Sequence, residues 1–144
     1  MTLVGHEHVI ECVLWVPDKF SSTITGQDIA KDNNDVVTAA KRSARLNGSE
    51  FEQQSSQPQT PSAVLISASR DRSIKFWDVY SGSCLFTLFG HDNWVRGIRL
   101  HPNGKMLLSV SDDKTMRIWS IEHRRCTKVL QAHPQFVTSI GTFL

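Results

Sequence analysis

The feature that most constrains this chain is a repeat. Ser67, Asp71 and Trp77 recur 42 residues later as Ser109, Asp113 and Trp119, and Cys84 recurs as Cys126. Gly90-His91 is followed at the same interval by Ala132-His133, and Gly5-His6 opens an earlier copy. Between these marks lie short apolar-alternating runs of strand length, separated by turn residues such as Pro102-Asn103-Gly104, where Asn and Gly accept positive φ at little cost. A period of about 40 residues carrying four such runs predicts one small antiparallel sheet per repeat, stacked against the next.

The strings GHDNWVRG, SRDRSIKFWDV and DDKTMRIW, with Gly-His near the start and Trp-Asp or Trp-Ser at the close, resemble the WD-repeat family over about 100 of the 144 positions. The expectation is an all-β chain: a fragment of a WD-repeat β-propeller, with two four-stranded antiparallel blades and the first strand of a third. Residues 1–4 would end the outer strand of a missing blade, and 5–89 would form the first repeat. Residues 90–131 would form the second, and 132–144 would begin a third. Propellers close with about four to eight blades, so a longer parent is expected.

Val9 to Val16 is nearly continuous in apolar residues and predicts an inner strand buried on both faces. His6 to Trp77 spans 71 residues where His91 to Trp119 spans 28, so the first repeat carries 43 extra. They fall at about 19–62, where Ser, Thr, Gln and Asn dominate, and predict a disordered loop inserted after the first strand. Within it Asp35 to Leu46 has the pattern of a short helix.

Each repeat holds His, Ser, Asp and Trp: His6, Ser67, Asp71 and Trp77, then His91, Ser109, Asp113 and Trp119. Ser, His and Asp together suggest a hydrolase triad. Against it, the set is duplicated at one spacing, and no G-x-S-x-G elbow is present. By resemblance the quartet is a structural tetrad, indole to hydroxyl to imidazole to carboxylate. No catalytic residue is assigned, the chain is read as not an enzyme, and no cofactor or metal is expected.

Cys12, Cys84 and Cys126 lack a C-x-x-C spacing and are read as buried free thiols. A net charge of +2 without a basic stripe argues against nucleic acid. No 18-residue apolar run or basic-then-apolar leader is present, so neither a membrane span nor secretion is expected.

Trp94, Arg70, Arg96 and Lys114 are not absorbed by core or tetrad and would share one rim as a basic, aromatic docking patch. The quoted strings, with HEHVIECVLWVP and an insertion following Trp15-Val16-Pro17, are also similar to the lissencephaly-1 branch of the WD-repeat family. That branch regulates cytoplasmic dynein and supplies the non-catalytic beta subunit of a platelet-activating-factor acetylhydrolase. The resemblance implies a dynein-contacting face at Arg70, Trp94 and Lys114, and the acetylhydrolase catalytic subunits as further partners. It also implies a parent that dimerises through an absent N-terminal region, and a cytoplasmic location at microtubules and centrosomes. Another WD-repeat adaptor, for example in a ubiquitin ligase, is the alternative, and hydrolysis by Ser109 with His91 is the least favoured.

Overall fold

Alternation of side chains decides the strands. In the computed structural model, which describes residues 2–25, 63–131 and 133–141, Leu65 lies opposite Trp77 and Ile66 opposite Phe76. In the second repeat Leu107 lies opposite Trp119 and Leu108 opposite Ile118. The registers coincide because both strands of the pair recur at the same 42-residue interval, so the same positions meet and the same side chains share a face.

Two four-stranded antiparallel sheets result, each in sequential order. The first contains β1 (Ile10–Trp15), β2 (Val64–Ser69), β3 (Ile74–Asp78) and β4 (Cys84–Leu88). The second contains β5 (Val95–Leu100), β6 (Met106–Ser111), β7 (Thr115–Ser120) and β8 (Arg125–Gln131). One face of the first sheet, with Ile66, Ala68, Ile74 and Phe76, meets the Ile98, Leu107 and Trp119 face of the second in a shared apolar core. Phe76 also stacks on Phe86 with centroids 4.2 Å apart. The inner strands β1 and β5 pack side by side.

Five expectations need correction. Strand β1 is covered on one face only: Cys12 and Leu14 pack on the core, whereas Val13 and Trp15 are each 53% exposed. A strand buries both faces only when a sheet lies on each side, and among the described residues only one does. The polar stretch after Pro17 begins as a helix, α1 (Asp18–Thr25), with Ser21 and Ile24 buried. The rest of the insertion, 26–62, including Asp35 to Leu46, lies outside the described residues. No strand is present in residues 133–141; Val137 is nonetheless buried, its N–H donating to the Ser111 carbonyl at 3.3 Å. The cysteines are not buried: Cys84 is exposed, and Cys12 and Cys126 are half-buried. Residues 2–4 form no strand either.

Beside Ile24 in the core, the helix is seated by a contact with the second sheet. Gly104, at φ 71° in the β5–β6 hairpin, lies beneath the Phe20 ring, where a Cβ would come within 2.1 Å of Cδ1. Asn103 Oδ1 closes that hairpin by accepting the Lys105 N–H at 3.0 Å. Because β5 runs from Val95 to Leu100 toward this hairpin, α1 sits at the opposite end of the sheets from Trp94.

Candidate functional site

The two quartets make the same chain of hydrogen bonds. Trp77 Nε1–H donates to Ser67 Oγ at 2.8 Å, and that hydroxyl is 2.6 Å from His6 Nε2. His6 Nδ1 lies 2.7 Å from Asp71 Oδ2. In the second sheet Trp119 meets Ser109 at 2.8 Å, Ser109 meets His91 at 2.7 Å, and His91 meets Asp113 at 2.7 Å. A hydroxyl already accepting from an indole gives its own proton to Nε2, so the imidazole donates from Nδ1 to the carboxylate. Glycine precedes each histidine because the backbone there touches the indole: a Cβ on Gly5 or Gly90 would lie 3.0 or 3.1 Å from Cη2 of Trp77 or Trp119.

Each aspartate also builds the turn that follows it. Asp71 Oδ1 accepts the Ser73 N–H at 2.9 Å and its hydroxyl at 2.6 Å; Asp113 does the same with Thr115 at the same distances. Burial works against ionisation of both carboxylates, but the bonds from Ser73 and His6, and from Thr115 and His91, outweigh it. The pKa of each falls to about 2. Burial is the main influence on His91 and lowers its pKa despite Asp113 beside it.

Ser67 and Ser109 are 2% and 0% exposed, each hydroxyl held between an indole and an imidazole. Nucleophilic attack requires a hydroxyl that reaches substrate beside an oxyanion hole. Neither serine has that access. What the chains do physically is pin the return strands β3 and β7 to the turn and loop of their own sheet.

The repeats differ where they end. Asp78 accepts from the Tyr80 N–H at 3.0 Å and the Ser81 hydroxyl at 2.8 Å. At the matching position Ser120 Oγ accepts, among the described residues, the His123 N–H at 3.2 Å.

At the rim the structure brings three of the four remaining residues together. Arg70 lies over the Trp94 ring with Cζ 4.2 Å from the centroid, and Arg96 does so at 4.8 Å. The half-buried Trp94 also has His8 beside it, centroids 6.3 Å apart. Lys114 is exposed in the β6–β7 turn at φ 70°, two residues beyond Asp112, and contacts none of them through a described bond.

Two carboxylates missed in the sequence belong to this cluster. Glu11 accepts from Arg70 Nε and, at 3.2 Å, from Arg96 Nη1. Asp112, buried, takes Arg96 in a two-pronged grip, Nε to Oδ1 at 2.9 Å and Nη2 to Oδ2 at 2.8 Å. The hydrogen bond from Arg70 is the largest influence holding the Glu11 pKa below the usual carboxylate range. The patch is thus a balanced set of two guanidinia and two carboxylates around an indole, with Lys114 as the added charge; the aromatic and basic residues expected there are joined by two acids. The signal was legible in part: Glu11 and Arg96 occupy matching places 85 residues apart, as Arg70 and Asp112 do 42 apart, with the signs exchanged.

The family model described as WD domain, G-beta repeat, matches residues 55–78 and 82–120. The two four-stranded antiparallel sheets, bearing the same indole-to-carboxylate chain, are consistent with blades of a WD-repeat β-propeller, to whose family model these stretches are similar.

Proposed function

We propose that the chain is a non-enzymatic protein-interaction scaffold whose partner meets the rim around Trp94. The observation that carries this reading is an aromatic side chain held at a blade edge between guanidinia from two blades. Trp and Arg supply most binding hot spots, and a rigid anchor loses little entropy on docking. Nothing in either tetrad needs Trp94, Arg70 or Lys114, so their chemistry is available for recognition.

The resemblance of the quoted strings to the lissencephaly-1 branch names the partner within this proposal: the cytoplasmic dynein motor. The role would be regulation of microtubule-based transport and nuclear migration, in the cytoplasm at microtubules and centrosomes. Platelet-activating-factor acetylhydrolase catalytic subunits are second partners on the same ground, and a homodimeric parent would present two such rims. A different WD-repeat adaptor, for instance in a ubiquitin ligase, fits the same blades equally well and differs only in what the rim meets.

Binding of the purified dynein motor domain to the full chain tests the reading. Trp94→Ala is expected to weaken it by about 2 kcal/mol or more, roughly thirtyfold, as truncation of a central hot spot does. Lys114→Ala should act more mildly. Motor that binds both variants as well as the unaltered chain overturns the assignment, and motor that binds none favours the adaptor reading.

A further inference from the structure

Glu11 bonds two guanidinia that belong to different blades. Arg70 follows β2 in the first sheet, and Arg96 lies on β5 in the second; both also cover the one Trp94 ring. Asp112 holds Arg96 from behind with both oxygens. The cluster is therefore a closed unit in which Arg70 carries the first blade onto the indole of the second and Glu11 ties that guanidinium to Arg96.

We propose that Glu11 is the positioning residue of the rim, fixing Arg70 and Arg96 over Trp94 and cancelling their charge so that partners are selected by close fit and not by charge attraction. The inference rests on the reading of this rim as a docking face. Exchange of signs between the repeats makes it possible. Within the first blade the inner strand supplies the acid and the turn after β2 the base; within the second, the inner strand supplies the base and the turn after β6 the acid. Each pair is balanced by itself, and the acid of the first faces the base of the second across the blade junction.

The arrangement specifies the chemistry of the partner surface. Arg96 spends all three guanidinium nitrogens on Asp112 and Glu11. Arg70 engages Glu11 through Nε among the described bonds, which directs its terminal nitrogens to a partner. The complement is a flat or apolar side chain on the indole with a backbone carbonyl or a carboxylate against Arg70. Long-range steering contributes little to a balanced cluster, because the field of two opposed pairs decays within the screening length.

Glu11→Gln separates these effects, since it keeps the shape and removes one negative charge. In the partner-free chain, the Trp94 indole N–H resonance, assigned by its loss in Trp94→Phe, is expected to shift or broaden. The Trp77 and Trp119 indoles, bonded to serines, should hold their positions and report an intact fold. With the dynein motor domain as probe, Glu11→Gln should speed dissociation on the order of tenfold and steepen the salt dependence of association, because the rim gains a net positive charge. An unmoved Trp94 resonance overturns the positioning role whether or not the motor binds. A moved resonance with unchanged dissociation and salt slope overturns the selection role. If Trp94→Ala leaves motor binding intact while Glu11→Gln moves the resonance, the dynein-facing rim fails and the positioning role stands.

Discussion

At the residue scale, the tetrads decide how the fold responds to protons. Asp71 and Asp113 titrate at about 2 in the folded chain against an ordinary 3.8, so the unfolded chain binds more protons throughout that window. His91, lowered from 6.5 chiefly by burial, pushes in the same direction. Stability is therefore full above pH 6.5. It declines below 6.5 as unfolded His91 takes up a proton, and declines more steeply from about 4 to about 2 as the aspartates do. Urea midpoints measured from pH 7 to pH 3 should fall in that order. Asp113→Asn should start lower at pH 7, since it loses a charge-assisted acceptor, and show a shallower acid limb. A midpoint constant down to pH 3 would remove the ionised carboxylates from the account. The quartets were legible because each member is a costly residue type at a fixed interval. Glu11 was not, because its matching position holds Arg96 and a search for identical residues passes over an exchange of sign.

At the scale of elements, α1 shows what a short polar segment gains from two apolar contacts, Ile24 in the core and Phe20 on Gly104. Only Phe20 and Ile24 among its eight residues are apolar, spaced so that both lie on one helix face. Helices this short are marginal without tertiary packing, and two apolar positions amid serine and threonine are a weak periodic signal. That is why composition suggested a loop. The deciding partner lies some eighty residues away, in the open space that Gly104 leaves for the Phe20 ring. Gly104→Ala should cost about 2–3 kcal/mol, part from the left-handed backbone and part from displacing the ring. In a Phe20→Ala background the same change should cost only about 1 kcal/mol, the backbone share. A thermal double-mutant cycle reads the difference, and simple additivity would show that Phe20 does not seat the helix. Strands β2, β3, β6 and β7, by contrast, were readable from alternation alone, since each meets its neighbours within a few dozen residues.

At the scale of the whole molecule, matching positions in the two blades meet different surroundings. Val13 corresponds to Ile98, and Trp15 to Leu100, 85 residues on. Ile98 is fully buried because the first blade covers it, whereas Val13 is 53% exposed because nothing among the described residues covers the same side of the first blade. The apolar run at Val9 to Val16 encodes burial on both faces, so its outer face carries the composition of a core without a neighbour; Ile10, at 48% exposed and opposite Ser69, extends it. A contiguous apolar strand face in water drives association, at about 25 cal/mol for each Å² it removes from solvent. The sedimentation coefficient of the chain should accordingly rise with concentration. Val13→Lys with Trp15→Lys should flatten that rise, because two like charges on one strand face repel any copy that approaches it. The melting midpoint should stay near that of the unaltered chain, since neither side chain lies in the core shared by Ile66, Phe76, Ile98, Leu107 and Trp119. Equal association of both proteins would place the adhesive surface elsewhere. A large fall in midpoint would show that Val13 and Trp15 already support the blade from its open side.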